Sequence, residues 1–122
     1  MENTKVKWFN KPLQHDYPAA RSYLSLTLAP REARTLCGKL KLAAMSEFAA
    51  KDIFRASGLP LLSASDSQVE KCRVQIIRNE RLSPLLLWRD TRCGRLIIAD
   101  GYHRMCAVYS FDEEAIIPCK II

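Results

Sequence analysis

Hydrophobic positions recur along this chain with two different spacings. From Arg31, the positions Ala33, Leu36, Cys37, Leu40 and Ala44 follow the 3.6-residue period of a helix. Upstream, Asp16 is placed to cap a helix with Pro18 in its first turn and Ala20, Tyr23, Leu24 and Leu28 along one face. A further helical start falls at Ser46, with Phe48, Ala49 and Ile53 turned inward and Gly58 and Pro60 closing it. Ser67 and Glu70 have capping-box spacing ahead of Val69, Cys72, Ile76 and Ile77. Residues 1 to 15 keep no period, and we read them as an arm lying on the body, pinned by Trp8.

The second spacing begins at Pro84. Pro84 to Trp88 is a short apolar run, residues 89–94 form a glycine-containing turn, and Arg95 to Ala99 is apolar again, which together predict a β-hairpin. After a break at Asp100-Gly101, Met105, Val108 and Tyr109 resume a helical pattern to about Ser110. Asp112-Glu113-Glu114 is an acidic loop, and Ile116 to Ile122 is a last strand in which Pro118 marks a start or an edge. The prediction is an α+β fold: a helical segment over residues 1–57, then a small mixed β-sheet with packed helices over residues 58–122.

With 122 residues, 48% of them hydrophobic and 26% charged, the chain is read as one domain with its own core. Its apolar runs fall far short of the roughly 20 residues needed to span a bilayer, so no membrane partner is expected. Met1 to Lys5 lacks the apolar centre of a signal peptide, which predicts a cytoplasmic protein. The five cysteines are widely spaced and lack a CxxC pair, and the two histidines, His15 and His103, stand far apart. This is the pattern of buried thiols, with Cys93 in its turn the most exposed, and no metal site is predicted. The net charge of +6 favours an acidic partner such as a nucleotide, a phosphorylated small molecule or nucleic acid.

The break at Asp100-Gly101 is where chemistry is expected. Gly101 permits a positive φ or close approach to the backbone. The amides of residues 102 to 104 then form the first turn of a helix, where unpaired N–H groups and the helix dipole attract anions. His103 and Arg104 add donors. Each residue also has a plainer reading. Arg104 either binds an anion or pairs with Asp112 or Glu113. His103 is a general base, a phosphate donor or a hydrogen-bonded structural histidine. Asp100 either caps the helix or acts as a base for a substrate hydroxyl or a Mg²⁺ ligand. Tyr102 either stacks on a base or packs. Lys71, Arg73, Arg78 and Arg81 form a solvated face or a nucleic-acid surface.

The element order from residue 67, with Leu82 to Leu87, Leu96 to Arg104 and Ile116-Ile117-Pro118, resembles the ParB/sulfiredoxin superfamily over roughly residues 58 to 122. In that superfamily the corner reads like Gly-Glu-Arg-Arg in CTP-binding partition proteins. It reads like Gly-Cys-His-Arg in sulfiredoxins and like Asp-Gly-His-Thr-Arg in free-serine kinases. The resemblance implies that Gly101, His103 and Arg104 bind phosphate, that Ser83 and Pro84 flank the nucleotide, and that Asp100 matches the kinase acid. Tyr102 stands where sulfiredoxin has its cysteine, which argues against sulfinic-acid reduction. No helix-turn-helix follows the last strand, which argues against a partition clamp.

The resulting expectation is nucleotide or phosphate binding at Asp100 to Arg104, with NTP hydrolysis or phosphotransfer as its extension and Asp100 and His103 as the catalytic pair. Any Mg²⁺ would arrive with the nucleotide, and no tightly held cofactor is expected. A homodimer is compatible with this reading. Two other classes stay open: a nucleic-acid-binding module without catalysis, and a protein-interaction domain whose pocket is vestigial.

Overall fold

The computed structural model describes residues 5–122. The first four residues of the predicted arm, Met1 to Thr4, on which most of the signal-segment reading rests, lie outside the described residues. The arm continues as β1 (Lys7–Trp8), followed by α1 (Asp16–Leu24), α2 (Pro30–Leu42), β2 (Met45–Ala49), α3 (Ala50–Ser57) and α4 (Ser67–Ile77). Then come β3 (Arg81–Leu82), β4 (Leu85–Asp90), β5 (Arg95–Asp100), α5 (Tyr102–Phe111) and β6 (Ile116–Ile121). The fold is α+β, as predicted.

The main sheet has the order β2-β6-β4-β5. β6 runs antiparallel to β2 and parallel to β4, and β4 and β5 form the expected antiparallel hairpin. A second, two-stranded sheet pairs β1 with β3 in parallel, Trp8 opposite Leu82. The arm is therefore held by backbone pairing as well as by its tryptophan.

Helices cover both faces of the main sheet, which explains why Leu85, Leu86 and Leu87 are all fully buried. Leu85, Leu87, Ile98, Ile117 and Cys119 pack with α3, α4 and α5, while Leu86 and Ala99 face α1 and α2. Lys120, nearly buried, donates to the Lys41 carbonyl at 2.8 Å and lies over the Tyr17 ring. It thus satisfies the carboxyl end of α2.

Several local expectations are corrected. Residues 45–49 form a strand where a helical start at Ser46 was predicted, so the first 57 residues are not wholly helical. Pairing of Phe48 with Ile117 overrides the helical spacing, and Phe48 stays 37% exposed. α3 then starts at Ala50, where Ala115 and Glu113 carbonyls accept the Ala50 and Lys51 amides at 2.8 and 2.9 Å. Pro118 is neither a strand start nor on an edge strand. It is tolerated because pairing with β4 begins one residue later, at Cys119 opposite Leu85.

The cap of α4 is Asp66 rather than Ser67, its carboxylate accepting from the Gln68 and Val69 amides at 2.9 and 3.1 Å. Ile77 does not join Val69 and Ile76 inside; it is 60% exposed. In α1, Tyr17 rather than Tyr23 faces the core, and Asp16 is the first helical residue rather than the cap.

Candidate functional site

β5 ends at Asp100, Gly101 turns the chain with φ +111°, and α5 starts at Tyr102. A Cβ at residue 101 would stand 2.6 Å from Leu85 Cγ and 3.0 Å from Arg104 Nη2. Gly101 is therefore required by packing as well as by its backbone angle. The first helical bond runs from the Met105 amide to the Gly101 carbonyl at 2.9 Å, and no side chain caps the helix. The amides of Tyr102, His103 and Arg104 thus have no hydrogen-bond acceptor among the described residues.

Arg104 turns back into the corner. Its Nη2 donates to Asp100 Oδ2 at 2.9 Å and to the Pro84 carbonyl at 3.3 Å, while its buried Nε has no partner among the described residues. Asp112 and Glu113 play no part in holding it. Asp100 does not cap α5, the commoner job for an acid at this position. Its carboxylate serves the guanidinium one helical turn on, and both side chains are mostly buried.

The residue that sequence reasoning missed is Asp16. It is 2% exposed, accepts the Leu13 amide at 2.9 Å and also accepts the Ser83 hydroxyl. It neighbours Asp100. Burial raises the Asp100 carboxyl above its ordinary range, and the neighbouring Asp16 adds to the rise against the opposing pull of Arg104. Two carboxyls therefore neighbour each other, and one of them, Asp100, is paired with the guanidinium. The available signal was a charged residue at the start of an apolar helix, which local pattern assigns to capping.

Ser83 and Pro84 do come to the corner, but the Ser83 hydroxyl is taken by Asp16 and the Pro84 carbonyl by Arg104. Tyr102 donates its hydroxyl to the Pro60 carbonyl, so it is tethered to the preceding loop. His103 is part-exposed, with Nε2 4.0 Å from Asp66 Oδ1 and its ring tilted against Tyr102. His15, given no role from sequence, has Nε2 3.4 Å from Asp16 Oδ1. Among the described residues no three His, Cys, Asp or Glu side chains gather as a metal site would require. Two cavities, one beside α3 and one between β1 and α5, are lined by no residue of the corner.

The basic face of α4 divides in two. Arg73 stacks on Phe111 at 4.3 Å and donates to Ser110, so it is structural. Lys71, Arg78 and Arg81 are exposed and make no ion pair among the described residues. No helix among the described residues is long and apolar enough to cross a membrane. No protein-family model matches this chain, and no curated protein or solved structure is significantly similar to it.

Proposed function

We propose that the protein binds a phosphate-bearing ligand, a nucleotide first of all, at the opening turn of α5. The observation that carries this reading is the uncapped turn behind Gly101, with three amides left without acceptors. A phosphate there receives those N–H groups and the positive end of the helix dipole. His103 donates from the solvent side. Arg104 supplies charge from behind, its free Nε adding one more donor. The likeness of Asp100 to Arg104 to the ParB/sulfiredoxin corner points the same way. The five free cysteines agree with a reducing, cytoplasmic setting in which nucleotides are abundant.

Turnover extends this reading. Asp100, paired with Arg104, takes the proton from a water or hydroxyl that attacks the terminal phosphorus. The bond from that phosphorus to the nucleoside diphosphate breaks, the diphosphate leaves, and Arg104 and the amides stabilise charge on the transferred phosphoryl. Mg²⁺, when present, enters with the nucleotide and neutralises its phosphates.

Thermal unfolding against CTP, ATP, GTP, UTP, ADP and inorganic phosphate, with and without Mg²⁺, tests the proposal. A ligand at about 100 times its dissociation constant adds about 2.7 kcal/mol. That shift is lost in His103→Ala and Arg104→Ala. If the folded wild type responds to none of these ligands, the nucleotide reading fails. A response to oligonucleotides alone, steeply weakened by salt and by removing Lys71, Arg78 and Arg81, would replace it with nucleic-acid binding.

A further inference from the structure

A second site lies at the other end of the β4–β5 hairpin, independent of the corner. Here the sheet and α3 part to leave a cleft of about 350 Å³, within the size range of small-molecule sites. The registers Leu87 opposite Ile121 and Arg89 opposite Leu96 turn these four side chains to one face, where with Phe48 they form a largely apolar floor. Ile53 and Ala56 of α3 form the wall, and the hairpin turn forms the mouth.

The charges around the cleft differ in how far they are engaged. Asp90 is engaged within the turn by the Cys93 thiol at 3.2 Å and by Arg92 at 3.3 Å, and these hydrogen bonds, the thiol's foremost, hold it below the ordinary carboxylate range. Asp52 sits in the first turn of α3, where the helix dipole favours a negative charge. Arg95 reaches across the end of α3, its Nε 3.5 Å from where a Cβ on Gly58 would stand, and there it complements the helix carboxyl end. Arg89 is left over. It rises from the floor beside Leu87 and Leu96 and makes neither an ion pair nor a side-chain hydrogen bond among the described residues.

We propose that this cleft binds a small molecule with an apolar body and one carboxylate, the body seated on Leu87, Leu96 and Ile121 and the carboxylate on Arg89. A guanidinium is suited to this, because its planar fork matches a carboxylate through two parallel hydrogen bonds. Arg89 is the charge set into the apolar floor, so orientation follows from Arg89 and affinity from the floor.

The test uses a matched series, 4-phenylbutyrate, 4-phenylbutanol and 4-phenylbutylamine, titrated into ¹⁵N-labelled protein. Saturable amide shifts are expected in α3 and the hairpin turn, with the carboxylate binding roughly tenfold or more tightly than the amine. Arg89→Gln, a change at an exposed position, brings the carboxylate down to the level of the alcohol. Ala56→Trp fills the cleft and removes binding of all three, while the spectrum outside α3 and the turn stays that of the wild type. Equal affinity for acid and amine, an Arg89→Gln variant that binds the acid undiminished, or shifts that fail to saturate or fall elsewhere would each overturn the proposal.

Discussion

The two ends of the β4–β5 hairpin use charge in opposite ways. At the corner, Asp16, Ser83 and the Asp100–Arg104 pair come from three parts of the chain and are mostly buried, Ser83 bonded to Asp16 and Arg104 to Asp100. At the tip, Arg89 and Arg95 stand in solvent without ion pairs among the described residues. Buried polar groups that lose a partner are costly, whereas exposed ones scarcely affect stability. The corner is therefore part of the fold whatever it binds, and the tip has charge to spare for a ligand. A damaging mutation at the corner is for this reason weak evidence of function unless folding is measured with it.

The comparison is tested most severely by Gly101→Ala. Backbone strain and the clash with Leu85 each add roughly 1–3 kcal/mol, so a loss of about 4 kcal/mol is expected in urea unfolding. Arg104→Ala leaves Asp100 mostly buried without its counter-charge and should cost about 3 kcal/mol, with the Asp100 pKa rising further. Asp16→Ala strands the Leu13 amide and the Ser83 hydroxyl, for about 2 kcal/mol. Arg89→Ala, at the tip, should change stability by less than about 0.5 kcal/mol. A loss at Arg89 as large as that at Arg104 would erase the distinction between the two ends.

Protonation sharpens it further. The Asp100 pKa is raised above the ordinary carboxylate value of 3.8, so as pH falls the native state takes up this proton before the unfolded chain does. Stability linked to Asp100 is thus fully present at low pH and is lost as pH rises through the folded pKa. In Asp16→Asn the folded pKa should move back toward 3.8, because one of the groups raising it has lost its charge. Carboxyl ¹³C titration of Asp100 in both proteins measures the shift directly.

The hairpin and the corner were legible in the sequence because each is local. Apolar runs flanking a glycine turn give β4 and β5, and the break of period at Asp100-Gly101 marks the strand-to-helix change. β2 was not legible, because five residues of mixed polarity become a strand only when β6 pairs with them. Asp66 and Ser67 are adjacent residues with equally good capping chemistry, and only geometry separates them. Asp16 shows the limit most clearly. Its neighbours in sequence describe a helix start, whereas its role comes from Ser83 and Asp100, brought to it by packing of α1 against β5.

The position of β6 has a consequence for how the chain is made. β6 follows every other strand in the sequence yet lies between β2 and β4, joining one to the other. During synthesis β2 emerges early and has no strand to pair with until Ile116–Ile121 has left the ribosome, and the hairpin waits beside it with Leu85 to Leu87 uncovered on that flank. Such unpaired edges invite association between nascent chains. Slowing translation just before codon 116 should therefore lengthen the interval in which the chain depends on chaperones, and release of the last strand should end it.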